Sequence, residues 1–381
     1  MANIEIIGKI KPIKDTEKFH PFEEKEFESG WQAIKCRFNV ISGNNRFQCE
    51  ISGGKWKNDS KNKIYSFSKA ANGKKSEKIE IEWNKRRDAA TIANVAGWKI
   101  YTVDLMTFDE RKQIEDNGTA EEKAAAAKKR YQFIEKTDMA YLMQKILQSG
   151  KYENSLFKIV GNVDYQYSEA KNEWYRTLTV NKIYRVADNT EPKAEMTLSA
   201  YYTADAMNAD NYEDTKKYLF NCYTDYYFSN VKDNRFVPLA LVIDGNGDEK
   251  TEKRAEGFKK KLTTFEDDAV VRKCDLVCTM IDGAQERAIT LDDLDEETRE
   301  NIELGLIDEK EALRALGGNV FGDRITETRI KSLAKTSVKG SEATVYTLED
   351  LNRLPVVEDK PNIPDVTADD DDDFDIFGDE V

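Results

Sequence analysis

The stretch Ile4-Glu5-Ile6-Ile7-Gly8-Lys9-Ile10 decides the fold. Apolar and polar residues alternate through it with the period-two rhythm of a half-buried β-strand, and a glycine interrupts the run. A glycine inside a strand marks a bulge or a close backbone approach, as at the sharply bent first strand of a closed barrel. Working outward, the same rhythm returns at Trp31–Val40, Arg46–Ile51, Lys63–Phe67, Lys78–Trp83 and Trp98–Leu105. Six short strands separated by polar turns in residues 1–105 read as a small β-barrel or sandwich. Beyond Gly150 the pattern resumes at Leu156–Gln166, Trp174–Val186, Lys193–Tyr202, Tyr218–Phe228 and Phe236–Ile243, which predicts a second compact β domain over 151–250. A short echo, Ile159-Val160-Gly161-Asn162-Val163, matches the opening run, and each is followed by a strand that begins with tryptophan, Trp31 or Trp174.

Between the two blocks, residues 106–150 read as a helical insertion or connector. Thr119–Gln148 is rich in Ala, Glu and Lys, and Met139, Leu142, Met143 and Ile146 recur at helical spacing, which gives one buried stripe. Residues 251–357 read as a mixed α/β support segment, with Thr290 as a helix cap and Asp308 with Glu311 as a capping box closed by Gly317-Gly318. Pro355, Pro361 and Pro364 then break regular structure, and 358–381 is expected to be a disordered acidic tail. The expected class is mainly β with added helices.

Composition narrows the chemistry. The chain has 381 residues, 39% hydrophobic and 34% charged, enough for a sizeable core. Five cysteines and one histidine argue against metal centres, histidine bases and a disulfide scaffold, so no cofactor is expected. No apolar run approaches the ~18 residues of a membrane helix, and Met1 to Lys14 holds no signal-like stretch, so the expectation is a soluble cytoplasmic chain with no membrane partner. The net charge of −14 would argue against nucleic acid, but the charge is segregated. Residues 1–105 carry 20 Lys and Arg against 14 Asp and Glu, whereas 358–381 carry 1 against 11.

The basic front interleaves cations with aromatic residues on the predicted strands: Trp31, Lys35, Arg37, Phe38, Phe47, Lys55, Trp56, Lys57, Tyr65, Phe67, Lys69, Lys74, Lys75, Trp83, Lys85, Arg86 and Arg87. Single-stranded nucleic acid needs both types. Bases stack on rings at about 1 to 3 kcal/mol each, while Lys and Arg neutralise phosphates. Alternation sends half of the rings inward, so parity is the guide. Trp31, Lys35 and Arg37 share one parity and are expected outward; Ile34, Phe38 and Val40 share the other and are expected inward. Trp56, Lys57, Tyr65 and Trp83 complete the candidate face, and Trp174 and Arg176 are the candidates in the second block, whose tyrosines also suit a core edge or a protein interface.

The tail has its own signature. Asp371, Asp372, Asp373, Phe374, Asp375, Ile376 and Phe377 alternate carboxylates with apolar side chains, and a merely solvated tail gains nothing from exposed rings. The pattern reads as a linear motif that anchors a ring in a partner's basic pocket.

A β-barrel body, a flexible linker and an acidic tip bearing Phe374 and Phe377 resemble the single-stranded DNA-binding proteins of bacteria and their viruses. The lysine-rich character is similar to the bacteriophage members. The resemblance implies one or two OB-fold barrels that coat single-stranded DNA in replication, recombination or repair. It also implies a tip that recruits replication or recombination proteins, such as a polymerase, primase, helicase or nuclease, and no catalysis. It rests on architecture and the last 13 residues. Two departures stand: four residues follow Phe377 where the family's aromatic is terminal, and 381 residues is long for a single barrel.

Other readings compete with it. An acidic viral inhibitor that presents carboxylates in place of DNA phosphates to a host nuclease or restriction factor would use residues 231–381. A metal-dependent nuclease would need a carboxylate pair, and no spacing singles one out. Cys274 and Cys278 lack further ligands in the sequence nearby, and His20 lacks a visible partner. Asp244-Gly245-Asn246-Gly247-Asp248 resembles a calcium loop only in part, since the twelfth residue from Asp244 is Ala255 where that loop needs glutamate. No Walker loop is present.

Overall fold

The computed structural model describes residues 2–70, 75–265, 270–287, 294–308, 312–313, 320–337 and 340–356. The chain is mainly β with added helices. Its first ten strands are β1 (Asn3–Pro12), β2 (Phe22–Glu26), β3 (Trp31–Ser42), β4 (Asn45–Trp56), β5 (Lys63–Phe67), β6 (Lys78–Glu82), β7 (Tyr101–Asp104), β8 (Arg130–Phe133), β9 (Leu156–Ser168) and β10 (Glu173–Arg185). Five of them form a ring. β1 pairs antiparallel with β3, β3 with β4, β4 runs parallel to β10, β10 pairs antiparallel with β9, and β9 returns to β1. Numbered within the ring, the order is 1-2-3-5-4-1, a five-stranded Greek-key barrel of the OB type.

Gly8 is where β1 changes partner. Residues 3–7 of its free edge pair with β11 (Lys193–Tyr202), residues 9–12 pair with β3, and a Cβ on Gly8 would lie 2.3 Å from the Ile41 carbonyl oxygen. The close approach expected of this glycine is present, and no side chain fits there. The echo at Ile159–Val163 has a different meaning from a repeated domain: it lies in β9, the strand that pairs with β1, and Ile159 sits opposite Ile6.

A second ring follows with the same order. It uses β11, β13 (Lys217–Phe228), β14 (Asp233–Asp244), β15 (Arg272–Arg287) and β16 (Val320–Leu333), with short β12 (Met207–Asn208) on the edge of β13. β11 meets β13, β13 pairs with β14, β14 runs parallel to β16, β16 pairs with β15, and β15 returns to β11. The two rings share one continuous sheet through β1 and β11. An ion network crosses this seam, Lys158–Glu5 at 2.5 Å, Glu5–Lys193 at 2.7 Å and Glu195–Lys331 at 2.6 Å. The β3–β4 turn of the first ring also touches β15, where Asn45 Oδ1 accepts the Asp282 N–H at 3.0 Å.

These pairings correct the expected divisions. A barrel confined to 1–105 does not form, because β5 and β6 make a separate two-stranded sheet and the ring borrows β9 and β10 from the block expected to be a second domain. The support segment 251–357 supplies β15 and β16, which complete the second ring. The single helix expected over Thr119–Gln148 is broken. α2 (Phe108–Asn117) and α3 (Ala120–Ala127) come first, β8 pairs with β7, and only then does α4 (Lys136–Ser149) begin. Its stripe holds, with Met139 and Met143 fully buried beneath the first ring. α6 (Glu249–Thr263) takes the same place in the second ring and buries Ala255 and Leu262. The caps read at Thr290 and at Glu311 with Gly317-Gly318 lie outside the described residues. Among the described residues no helix is long and apolar enough to cross a membrane.

Candidate nucleic-acid interface

In an OB barrel the outer face of ring strands two and three binds oligonucleotides. In the first ring these are β3 and β4. Ile34, Cys36, Phe38 and Val40 of β3 are buried, so Trp31, Lys35 and Arg37 take the outer parity. Trp31 stands opposite Trp56 of β4, their rings edge to face with centroids 5.3 Å apart. Gly54 makes room for this, since a Cβ there would lie 2.3 Å from Trp31 Cζ2. Asn62 fixes the end of β4 by accepting the Trp56 N–H at 2.7 Å and donating to its carbonyl at 2.9 Å. A groove of about 310 Å³ opens beside the pair, lined by Ser29, Gly30, Trp56, Lys57, Asn58 and Lys61, with the Lys61 ammonium 5.3 Å from the Trp56 ring.

The cations on this face divide by what already neutralises them. Lys35 makes no ion pair among the described residues, whereas Lys55, opposite Gln32, falls on the parity of Ile34 and Phe38 and not on this face. Lys57 pairs with Glu26 at 2.7 Å, both side chains largely exposed, and such a pair is worth about 0 to 1 kcal/mol and yields to a phosphate. Arg37 is different. Its Nε donates to Glu50 at 2.9 Å, Nη2 lies 3.5 Å from Glu23, and its guanidinium covers the Phe19 ring at 5.3 Å. It braces β2, β3 and β4 and has little capacity left for a phosphate.

The remaining candidates are not gathered at this groove. Tyr65 lies in the β5–β6 insertion, exposed, with Lys78 5.1 Å above its ring. Trp83 packs against the insertion's own small core of Ile64, Ile81, Val95, Ile100 and Ile134, and the Arg86 guanidinium occupies a face of its ring at 4.1 Å. Arg86 and Arg87 converge on buried Asp138 of α4 at 2.9 and 2.5 Å, which docks the insertion on the first ring and holds that carboxyl below its ordinary range against the opposing cost of burial. Trp174 packs between Tyr167 and Phe228 at 4.9 and 5.9 Å, where the β9–β10 hairpin meets β13 of the second ring. Arg176, on the same hairpin, is exposed and makes no ion pair among the described residues.

One ring escapes the sequence reading. Trp98 is 62% exposed in the turn Gly97–Lys99, 5.1 Å from Phe67 and with Lys99 at 5.0 Å. The adjacent Trp98-Lys99 pair is a signal of the kind used elsewhere, but it reads as the start of a strand that in fact begins at Tyr101.

The five thiols are free and buried, and burial pushes Cys36, Cys49 and Cys278 up to about 12. His20 faces Asp15 at 2.8 Å on the surface. Asp248 of the calcium-like stretch caps α6, accepting the Thr251 N–H at 2.9 Å. Among the described residues no three potential metal ligands cluster. Lys74 and the tip residues Asp371 to Phe377 lie outside the described residues.

No family model and no curated protein matches the chain. Among solved structures, a deletion mutant of the single-stranded DNA binding protein from Thermus aquaticus aligns at 6% identity and a TM-score of 0.29, over 74% of this chain and 87% of that one. The wild-type Thermus aquaticus protein aligns at 7% identity and the same TM-score, over 74% and 85%.

Proposed function

We propose that the chain is a non-enzymatic, sequence-tolerant single-stranded DNA-binding protein of bacteriophage type. The Trp31–Trp56 pair on the outer face of β3 and β4 carries this reading, because paired rings beside Lys35, Lys57 and Lys61 supply both the stacking and the charge that an unpaired strand requires. The acidic tip, Asp371 to Phe377, recruits replication or recombination proteins through its rings and carboxylates. Tethered to the body, it also competes with DNA for the basic face until a long strand displaces it.

The test is fluorescence anisotropy of labelled oligo-dT at several salt concentrations, with duplex as control. Single-strand binding should weaken with salt, and Trp56→Ala should cost about 1 to 3 kcal/mol of binding. Ending the chain at Val357 should tighten binding and change its salt slope. Equal affinity for duplex, or no effect of Trp56→Ala, would overturn the assignment of this face.

A further inference from the structure

The corresponding face of the second ring is not open. Its strands one, two and three present Tyr201, Tyr223 and Phe236 on the outer side: Tyr201 stands opposite Tyr223, and Phe236 opposite Asp225, two residues further along the same face. A strap formed by residues 340–356 lies over them. It pairs β17 (Glu342–Ala343) with β15, then turns into the short helix α8 (Leu348–Asn352), which sinks Leu351 to 1% exposure against Tyr201, Phe236 and Val271.

The strap's contact with these rings is of a kind that a nucleic-acid base makes. Tyr346 inserts its ring edge to face against Tyr201 and Phe236, with centroids 5.7 and 4.9 Å apart. Away from those rings, Ser341 accepts from Arg272 Nε at its hydroxyl and from Nη2 at its carbonyl, both at 2.9 Å, but Arg272 stands opposite buried Tyr202 and so belongs to the other side of β15. A ring held among rings is what a base would offer in the place of Tyr346. The Tyr223 hydroxyl meets Asn352 at 3.1 Å, and farther along β13 Tyr227 is already exposed on the same parity. The strap is itself acidic, with Glu342, Glu349 and Asp350 against Arg353, and it leads directly into the 358–381 run.

We infer that the outer face of β11, β13 and β14 is a second binding face for single-stranded nucleic acid, closed by the 340–356 strap and opened when a strand displaces it. The inference rests on the proposed single-stranded DNA binding. It predicts two modes: a short occluded site on the first ring alone, and a longer one when both faces engage. The gain in length should fall within the roughly 4 to 16 nucleotides typical of one OB barrel.

The experiment uses the full chain and poly-dT, titrated by intrinsic tryptophan fluorescence for the occluded site size, with tryptic cleavage after Arg353 reporting strap release. Leu351→Asp and the double variant Tyr346→Ala with Leu351→Asp should accelerate that cleavage and lengthen the occluded site. Adding Tyr223→Ala should return the site to its original length. A released strap with unchanged site size overturns the inference, as does a gain that Tyr223→Ala does not reverse. A strap that stays docked in both variants overturns it too, since a strand would not displace it either. In each of these cases the unmodified chain still binds poly-dT, whereas failure of the unmodified chain to bind at all removes the proposed function itself.

Discussion

In the first ring the parallel seam joins β4 to β10 through Cys49 opposite Leu178 and Glu50 opposite Thr179, whereas in the second β14 meets β16 at the single pair Val242 and Arg329. Charge reinforces the second seam: Arg329 reaches Asp244 at 2.6 Å and Glu327 at 2.7 Å, and Lys217 reaches Glu327 at 2.6 Å. In the first ring a close backbone approach lies one strand over from the seam, on the antiparallel β9–β10 pairing. A Cβ on Gly161 of β9 would lie 2.0 Å from the Thr179 carbonyl oxygen, close to the register shift between Val180 and Lys182. One strand order thus carries different reinforcement: ion pairs at the parallel seam of the second barrel, and in the first a close backbone approach on the strand pair beside the seam, alongside the Arg37–Glu50 and Lys158–Glu5 pairs of other strand pairs. The difference follows outward to the faces: the first leaves its tryptophan pair beside open cations, and the second covers its rings with a strap of its own chain.

The largest test of this contrast is Gly161→Val. The branched side chain collides with backbone on the neighbouring strand, which cannot give way as a flexible side chain would, so the first ring should lose more than about 4 kcal/mol or fail to close. Urea denaturation followed by circular dichroism measures it. A loss below about 1 kcal/mol would show that the β9–β10 bulge absorbs the volume and that close approach does not hold this ring.

Arg329→Leu is the counterpart in the second ring. It leaves Asp244 and Glu327 facing each other at the seam with only Lys217 to offset them. The expected cost is about 2 kcal/mol, below the 3 to 5 for a fully buried pair because these side chains retain some exposure to water. Concentrated salt should shrink the difference between variant and parent, and should leave the Gly161→Val defect unchanged. Equal salt sensitivity in the two variants would collapse the distinction.

Much of this was legible residue by residue and little of it ring by ring. The strands Lys63–Phe67 and Lys193–Tyr202 appear at the bounds that alternation predicts, and the inward parity of Ile34 and Phe38 is as the pattern requires. Ring membership was not legible, because alternation says that a strand has a buried face and nothing about which strand, a hundred residues away, completes its edge. β16 was missed because the Arg324-Ile325-Thr326-Glu327-Thr328-Arg329-Ile330 stretch carries few apolar residues, its seam being ionic. Trp174 reads as a surface contact from its strand's mixed composition, and Arg37 from its outward parity. Phe228 of the second ring and Glu50 of the neighbouring strand engage them, and no local pattern shows a partner that arrives through tertiary structure. Trp31 and Trp56 were better candidates because the hairpin itself sets them opposite one another.

The last contrast is between the helices that close the two rings. α6 starts at Asp248, whose carboxylate accepts the Thr251 hydroxyl and N–H and is held below its ordinary range by those two contacts. α4 starts at Glu135, which makes no capping bond, and burial, reinforced by nearby Asp138, raises its carboxyl to about 7 despite Arg86 and Lys136. A carboxyl whose folded value is raised contributes stability that is present below its ordinary value of 4.5 and lost as pH climbs through about 7. Asp248 has the opposite sign, and its contribution is lost only as pH falls below its ordinary value of 3.8. Urea midpoints measured from pH 5 to 7.5 should therefore decline in the unmodified chain. The decline should flatten in Glu135→Gln and persist in Asp248→Asn. If Glu135→Gln leaves the decline intact, then Glu135 ionises without penalty at the head of α4, and the two helix starts do not differ in this window.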